Sequence, residues 1–182
     1  MSGFGTWRER ASGVGLLVAL EIFASACNAR RDEHQAPRAV APGATPRSTA
    51  KPELAPRTGS TLPLEQFVQQ HVEQADASGQ RVLVYVGASW CEPCKRFHKA
   101  LESGELDEPL AGTRFVEFDA DKDGRELRAA GYGSKYIPLF SVPDHSGHAS
   151  GRAIEGAITG DAAVRRDLVP RLVALLDGKP VK

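Results

Sequence analysis

The chain has 182 residues, which is enough for one core of ordinary size and some additional sequence. Its 23 basic side chains balance 23 acidic ones, so it lacks the basic excess that typically binds nucleic acid. A nucleic-acid partner is therefore not expected, and the composition favours a single monomeric domain with extensions.

The first 27 residues have the pattern of an export signal. Two arginines precede an apolar run over residues 14–23, and small residues at 24–26 lead to Cys27. The run is too short, and too interrupted by Glu21, for a transmembrane helix. The sequence therefore predicts a chain that works outside the cytoplasm.

Small residues directly before Cys27 resemble a bacterial lipobox, although Ala24 stands where leucine is usual. The resemblance implies that Cys27 carries a lipid and becomes the mature N-terminus. The alternative is ordinary signal cleavage after Ala26, which would leave a free thiol. We favour lipidation, because it also accounts for the odd number of cysteines.

Residues 28–60 have the composition of a disordered Pro/Ala-rich linker. They hold five prolines and almost no large apolar side chains, so burial could not offset the entropy lost on ordering. The folded domain is accordingly expected to begin at Thr61 and to continue to residue 182.

Within that domain, apolar periodicity and Gly/Pro punctuation predict alternating helices and strands. A helix is expected from Pro63 to Ser78, followed by a strand at 82–86 and a helix at 91–102. The remaining predictions are a short helix at 105–111, a strand at 114–119, a helix at 125–130, a hairpin of strands at 139–142 and 152–156, and a final helix at 161–176 kinked at Pro170.

The most informative stretch is the Cys91 and Cys94 pair, which follows an apolar strand and the turn at residues 87–89. A helix N-terminus offers unpaired N–H groups and a positive dipole end, which stabilise a thiolate, so Cys91 is the predicted nucleophile. Cys94 lies one turn later on the same face and can resolve a mixed disulfide. Half of a zinc site and a redox-silent structural pair are the alternatives. Zinc needs further ligands, and the remaining cysteine, Cys27, is far upstream.

Three separated segments resemble motifs of the thioredoxin superfamily. The stretch 90–95 is similar to its active site, 136–140 to its cis-proline loop, and 155–159 to the glycine turn after its last strand. The chain is thus identified as a member. The resemblance implies an α/β thioredoxin fold, with a central mixed β-sheet flanked by helices, and thiol-disulfide chemistry without a cofactor or metal.

The resemblance also implies a substrate-binding surface around the two cysteines. Trp90, Glu92 and Pro93 lie beside the thiols in sequence. In thioredoxin folds the cis-proline loop faces the cysteine pair, so Ile137 and Pro138 are expected to complete this surface. The backbone of Ile137 would pair with a bound peptide like an added strand.

One position departs from the family pattern. Tyr85 stands where thioredoxin itself has a buried aspartate that is thought to help proton transfer to the resolving cysteine. The proton acceptor for Cys94 is therefore unidentified in the sequence. Glu92 is expected to face solvent, and the position of His98 deeper along the helix favours a surface or packing role.

The functional expectation is an extracytoplasmic oxidoreductase, held on the periplasmic side of a bacterial membrane by its N-terminal lipid. It would reduce disulfides in exported proteins with electrons from an upstream donor. Stretches 94–99 and 118–121 resemble the C-terminal domain of the periplasmic reductase DsbD, which favours this direction. The alternatives are an oxidase or isomerase of exported proteins, and a non-enzymatic peptide-binding module.

Overall fold

The computed structural model describes residues 47–156 and 163–181. The predicted signal segment, Cys27 and the linker up to residue 46 lie outside these ranges. So do residues 157–159 of the predicted glycine turn and Asp161, where the last helix was expected to begin. Among the described helices, none is long and apolar enough to cross a membrane.

A mixed five-stranded sheet forms the centre of the fold. Its strands, in spatial order β1-β3-β2-β4-β5, run in parallel across the first three, while β4 and β5 are antiparallel to their neighbours. This arrangement confirms the predicted fold class. The strands are β1 (Glu53–Pro56), β2 (Arg81–Gly87), β3 (Thr113–Asp119), β4 (Leu139–Pro143) and β5 (Ala149–Glu155).

Helices cover both faces of the sheet, because the side chains of β2 alternate between two apolar cores. Leu83 and Tyr85 lie in a core shared with the second and fourth helices. Val84 and Val86 lie in a second core with the first and third helices. The helices are α1 (Leu64–Ser78), α2 (Glu92–Glu102), α3 (Gly124–Ala129) and α4 (Val169–Leu176).

Two helical predictions need correction or refinement. The short helix expected at residues 105–111 is not formed; these residues are a series of hydrogen-bonded turns. Gly104 and Gly112 bound it with positive φ values of 76° and 66°, a left-handed conformation that interrupts a right-handed helix at both ends. Near the predicted kink, a π-helical segment, Val164–Leu168, leads directly into α4. Pro170 has no N–H for the regular helical bond, which suits this change of helix type.

The domain boundary expected at Thr61 is wrong, because residues 53–56 form the edge strand β1. Leu54 packs against the core, and the rest of the segment joins the sheet through its backbone. The N–H of Arg57 continues this pairing with the carbonyl oxygen of Glu117 at 3.1 Å. Few large apolar side chains in residues 28–60 suggested a linker. An edge strand does not need many of them, because it is held mainly by backbone hydrogen bonds.

Arg57 holds the segment after β1 against the turn that begins α3. Its guanidinium lies 2.9 Å from a carboxylate oxygen of Asp123 and 2.9 Å from one of Glu126. It also donates to the carbonyl oxygen of Leu62 at 2.6 Å. The Arg57 side chain is 11% exposed and that of Asp123 18%, so this charge-assisted bond is largely shielded from solvent, whereas Glu126 is 46% exposed.

Replacement of this anchor tests the corrected boundary. We expect Arg57→Ala to lower the free energy of unfolding by about 2 kcal/mol, because it leaves two carboxylates without their cation. Urea denaturation measures the loss. Arg47→Ala is the matched control: its side chain is 66% exposed, 3.9 Å from Asp177, and its loss should cost less than about 0.5 kcal/mol. Equal effects of the two substitutions would contradict the anchoring role of Arg57.

Candidate active site

The junction between β2 and α2 places both cysteines at a helix N-terminus. Cys91 is the N-cap residue of α2, in extended backbone conformation, and its Sγ accepts a hydrogen bond from the Cys94 N–H at 3.3 Å. Pro93 lies in the first turn, where its missing N–H leaves no helical bond unmade. The local sequence therefore ends the strand and aims the first N–H groups of α2 at Cys91.

The two cysteines are joined in a disulfide. Their sulfurs are 2.08 Å apart and their Cα atoms 5.2 Å apart. Each residue is only 3% exposed, within the core shared with α2 and α4. The predicted proximity of Cys91 and Cys94 on one face of α2 is thus confirmed. No third metal-binding side chain joins them, since the described residues contain no group of three or more His, Cys, Asp or Glu side chains placed to hold an ion.

The predicted proline loop lies at the same end of the sheet. The Ile137–Pro138 peptide bond is cis, as the sequence predicted. Pro138 immediately precedes β4, whose Leu139 pairs with Val86 near the end of β2. Ile137 packs against the core cluster that contains both cysteines. The loop therefore lies at the same end of the sheet as the disulfide, although its role in binding substrate stays a prediction.

Two large hydrophobic side chains are exposed around this end of the described structure. Trp90, predicted as a site residue, is 65% exposed, and Tyr136, which precedes Ile137, is 58% exposed. The Trp90 indole N–H donates to a carboxylate oxygen of Asp121 at 2.8 Å, which fixes the ring above the β3–α3 turn. Sequence reasoning missed the Asp121 contact, because the two residues are distant in the chain. The exposure of Tyr136 at the site could have been predicted, because Tyr136 begins the stretch 136–140 that resembles the cis-proline loop.

Glu92 faces solvent as predicted. Its carboxylate lies 3.8 Å from Lys95 Nζ and 3.6 Å from Arg96 Nη2 along the exposed side of α2. These pairs are on the outer surface, and Glu92 is 60% exposed there. Glu92 therefore affects the thiols through its charge near the helix N-terminus and not through the buried side of the site.

Tyr85 fills the position directly beneath the cysteines. Its ring is fully buried, stacked on Phe140 with centroids 5.2 Å apart and tilted against Phe97 at 4.9 Å. Among the described residues its hydroxyl has no hydrogen-bond partner. Burial, with a smaller contribution from the negative charge of Glu117, raises the pKa of Tyr85 well above its ordinary value. Tyr85 therefore stays protonated at physiological pH.

Gly87 lets the Tyr85 hydroxyl and the Cys94 sulfur approach each other. A Cβ at this position would lie 2.5 Å from Tyr85 Oη and 3.4 Å from Cys94 Sγ. Both atoms thus lie against the same face of Gly87, and there is no room for a side chain. The glycine was noted in the sequence only as the end of a strand.

A cavity of about 690 Å³ has Cys94 in its wall. His98 lines it, and its Nε2 lies 3.0 Å from Glu117 Oε1. The hydrogen bond to Glu117 raises the pKa of His98, against an opposing effect of burial. The sequence favoured a surface or packing role for His98, and its ring does pack on Tyr85 with centroids 5.5 Å apart; the structure adds the hydrogen bond to Glu117 and a place on a wall that Cys94 and Tyr85 share.

The sequence matches the model of a family described as thioredoxin-like over residues 64–144, which include both cysteines and the cis-proline. Together with the mixed sheet and the cysteine pair at the α2 N-terminus, this match decides the fold. The described chain has a thioredoxin-like fold. Its fold and its closely spaced cysteine pair are those of a thiol-disulfide oxidoreductase.

Solved thioredoxin structures are also similar to this chain. Thioredoxin from Trichomonas vaginalis is 22% identical, covering 65% of this chain and 96% of its own, with a TM-score of 0.41. Oxidised thioredoxin from Plasmodium falciparum is 21% identical over 67% of this chain and 100% of its own, with a TM-score of 0.43. Poplar thioredoxin h is 22% identical over 68% and 96%, with a TM-score of 0.44. A comparison with curated proteins gave no match.

The contact at Gly87 gives a test of the site's packing. Gly87→Ala should force the Tyr85 hydroxyl or Cys94 to move and lower the free energy of unfolding by roughly 1–3 kcal/mol. Gly124→Ala is the control, because its added Cβ would lie 3.6 Å from Arg128 Nη1, an ordinary contact, at a position in α3. Alanine there should be neutral or stabilising. If Gly87→Ala were as stable as the control, the site would have room for a side chain at this position, and the predicted tight packing would be wrong.

Proposed function

We propose that this thioredoxin-like protein reduces disulfide bonds in exported proteins while tethered to the periplasmic side of a bacterial membrane. The observation that carries the redox part is the buried Cys91–Cys94 disulfide at the N-terminus of α2. Exposed Trp90 and Tyr136 and the Ile137–Pro138 loop lie around it and offer a surface for an extended peptide.

The catalytic cycle uses the two sulfurs without a cofactor. An upstream dithiol donor first reduces the Cys91–Cys94 disulfide. The Cys91 thiolate, stabilised by the N–H groups of α2, then attacks a substrate disulfide and forms a mixed disulfide. Cys94 attacks Cys91, restores the internal disulfide and releases the substrate as a dithiol. Trp90, Glu92, Pro93, Ile137 and Pro138 would hold the substrate during both transfers.

The charges around Cys91 support reduction as the direction. A strongly oxidising pair needs a strongly stabilised thiolate in its reduced form. Here the carboxylate of Glu92 lies in the first turn of α2 and opposes the helix dipole, while Lys95 and Arg96 both lie near that carboxylate. Burial of Cys91 also disfavours its charged form. Glu92 and the burial of Cys91 favour the disulfide over the reduced pair, as a reductant requires, while the two cations reduce the effect of Glu92.

The reduction potential tests the direction. Equilibration of the full chain with a reference thioredoxin should give a value near that of thioredoxin, about −270 mV. A value near that of the oxidant DsbA, about −120 mV, would instead favour the oxidase or isomerase. Cys91→Ser should abolish reduction of insulin disulfides. If that variant remained fully active, the enzymatic reading would fail and a peptide-binding module would replace it.

The tether is supported by the signal-like sequence and by Cys27. We expect the full chain expressed in a bacterium to partition with the membrane fraction and Cys27→Ala to be released into the soluble periplasmic extract, because one acyl-modified cysteine supplies the anchor. Immunoblotting of the fractions measures this. The lipid reading fails if both proteins are equally soluble, or equally membrane-bound.

A further inference from the structure

The second half of the proposed cycle requires a base. Once a substrate is bound to Cys91, Cys94 can attack only after its thiol has lost a proton. Cys94 is 3% exposed, so bulk water does not reach it freely. A general base must contact the thiol directly or through one water molecule. The cavity beside Cys94 is where such a group must lie.

Three other polar groups of the site do not qualify as that base. The Tyr85 hydroxyl lies with Cys94 Sγ against Gly87, but burial raises the pKa of Tyr85, so this hydroxyl is already protonated and cannot take up the thiol proton. Glu92 points outward between Lys95 and Arg96 and does not line the cavity. The carboxylate of Asp121 is occupied by the Trp90 indole and is also absent from the cavity wall.

His98 has both the position and the chemistry. It follows Cys94 by four residues on α2, a spacing that places side chains on the same helix face, with Cβ atoms about 5–6 Å apart. Both residues line the cavity, whose volume of about 690 Å³ leaves room for water. The His98 Nε2–H donates to Glu117 across 3.0 Å, so Nδ1 is the basic nitrogen of the neutral ring.

We propose that His98, oriented by Glu117, accepts the proton of Cys94 through water in this cavity, while the Tyr85 hydroxyl donates a hydrogen bond to the thiolate that forms. The proposal rests on the function proposed above and names the residues that drive its second transfer. His98 is the proton acceptor, and Glu117 is a positioning residue that acts through His98.

The step is balanced within the site. The S–H bond of Cys94 breaks, and its proton passes through water to His98 Nδ1. The electron pair left on Cys94 forms the bond to Cys91 Sγ, and the bond between Cys91 and the substrate sulfur breaks. The substrate sulfur leaves as a thiolate and takes up a proton, which His98 returns through water. The cysteine pair is oxidised by two electrons and the substrate disulfide is reduced by two.

The electrostatics of the cavity suit this transfer. An ordinary histidine has a pKa of about 6.5 and an ordinary thiol about 8.5, so proton transfer between them is uphill. The hydrogen bond to Glu117 raises the pKa of His98 and narrows that gap. Glu102 adds a smaller effect in the same direction. The other charged residues that line the cavity are Arg57 from the N-terminal segment, Lys95 and Lys99 from α2, and Asp119, Lys122 and Asp123 from the β3–α3 turn.

Most of these other charges already have partners. Arg57 is paired with Asp123 at 2.9 Å, Lys122 with Asp119 at 3.5 Å, and Lys95 with Glu92 at 3.8 Å. Their effects on His98 therefore partly cancel, and the carboxylate in direct contact, Glu117, dominates.

Two-phase kinetics with dithiobis-nitrobenzoate (DTNB) test the proposal. The full chain carrying Cys27→Ala is reduced, freed of reductant and mixed with one equivalent of DTNB. Attack by Cys91 releases the first nitrothiobenzoate, and attack by Cys94 on the resulting mixed disulfide releases the second. Cys94→Ser should show the first release only. The two rates are recorded by absorbance from pH 5.5 to 10.

In His98→Gln we expect the second release to slow about tenfold or more at pH 7, with the first within about twofold of the parent. The deficit should shrink as the pH rises above about 8.5, where a thiol ionises without a base. His71→Gln, at a half-buried histidine of α1 packed on Phe67, is the matched control and should change neither phase. An unchanged second phase in folded His98→Gln overturns the proposal.

Glu117→Gln provides an independent measurement that keeps His98 in place. It removes the charge that raises the pKa of His98, so the pH at which the second release is half-maximal should move downward and its plateau should fall. An unmoved midpoint overturns the proposal, even if His98→Gln does not fold. A normal first release in these variants leaves the proposed function intact, whereas a parent chain with no first release at any pH would refute both.

Discussion

The chemistry of this protein depends on the abrupt junction between β2 and α2. Because Cys91 is the N-cap of α2, its sulfur accepts a hydrogen bond from the Cys94 N–H, and Cys94 is brought to within bonding distance one turn later. The junction is held from below by Tyr85 and from the side by the proline loop, which enters β4 next to the end of β2. Displacement of any of these elements changes the geometry of both sulfurs.

Tyr85 also determines which groups on the buried side of the site can accept a proton. A carboxylate beneath the cysteines could accept a proton itself, whereas a buried phenol remains neutral and can only donate or relay. The negative charge instead lies on the next strand, at Glu117, and is linked to α2 through His98. Glu117 and His98 therefore lie along the wall of the cavity and not directly beneath the two cysteines. Gly87 is part of the same arrangement, since any side chain there would collide with the Tyr85 hydroxyl.

The sequence predicted those features that local pattern determines. The strand before Cys91, the helix after it and the proline before Leu139 all carry strong local signals, and the structure has each of them. The missed features depend on contacts between distant segments. β1 has few large side chains and is recruited by the open edge of β3. The His98 contact with Glu117 and the Trp90 contact with Asp121 join residues about 20 to 30 positions apart, which become neighbours only because β3 lies beside β2.

The added edge strand matters for the site as well as for the fold. The chain leaves β1 at Pro56, and residues 56–59 form one wall of the cavity that contains His98. Arg57 fixes that wall by bonding to Asp123 and Glu126 at the start of α3. The sequence that leads into the domain thus helps to enclose the resolving cysteine, because the opposite walls come from α2 and the end of β3. If these residues were only a flexible tether, this side of Cys94 would be open to bulk solvent. Water and buffer molecules, and not a side chain of the protein, would then accept the proton of its thiol.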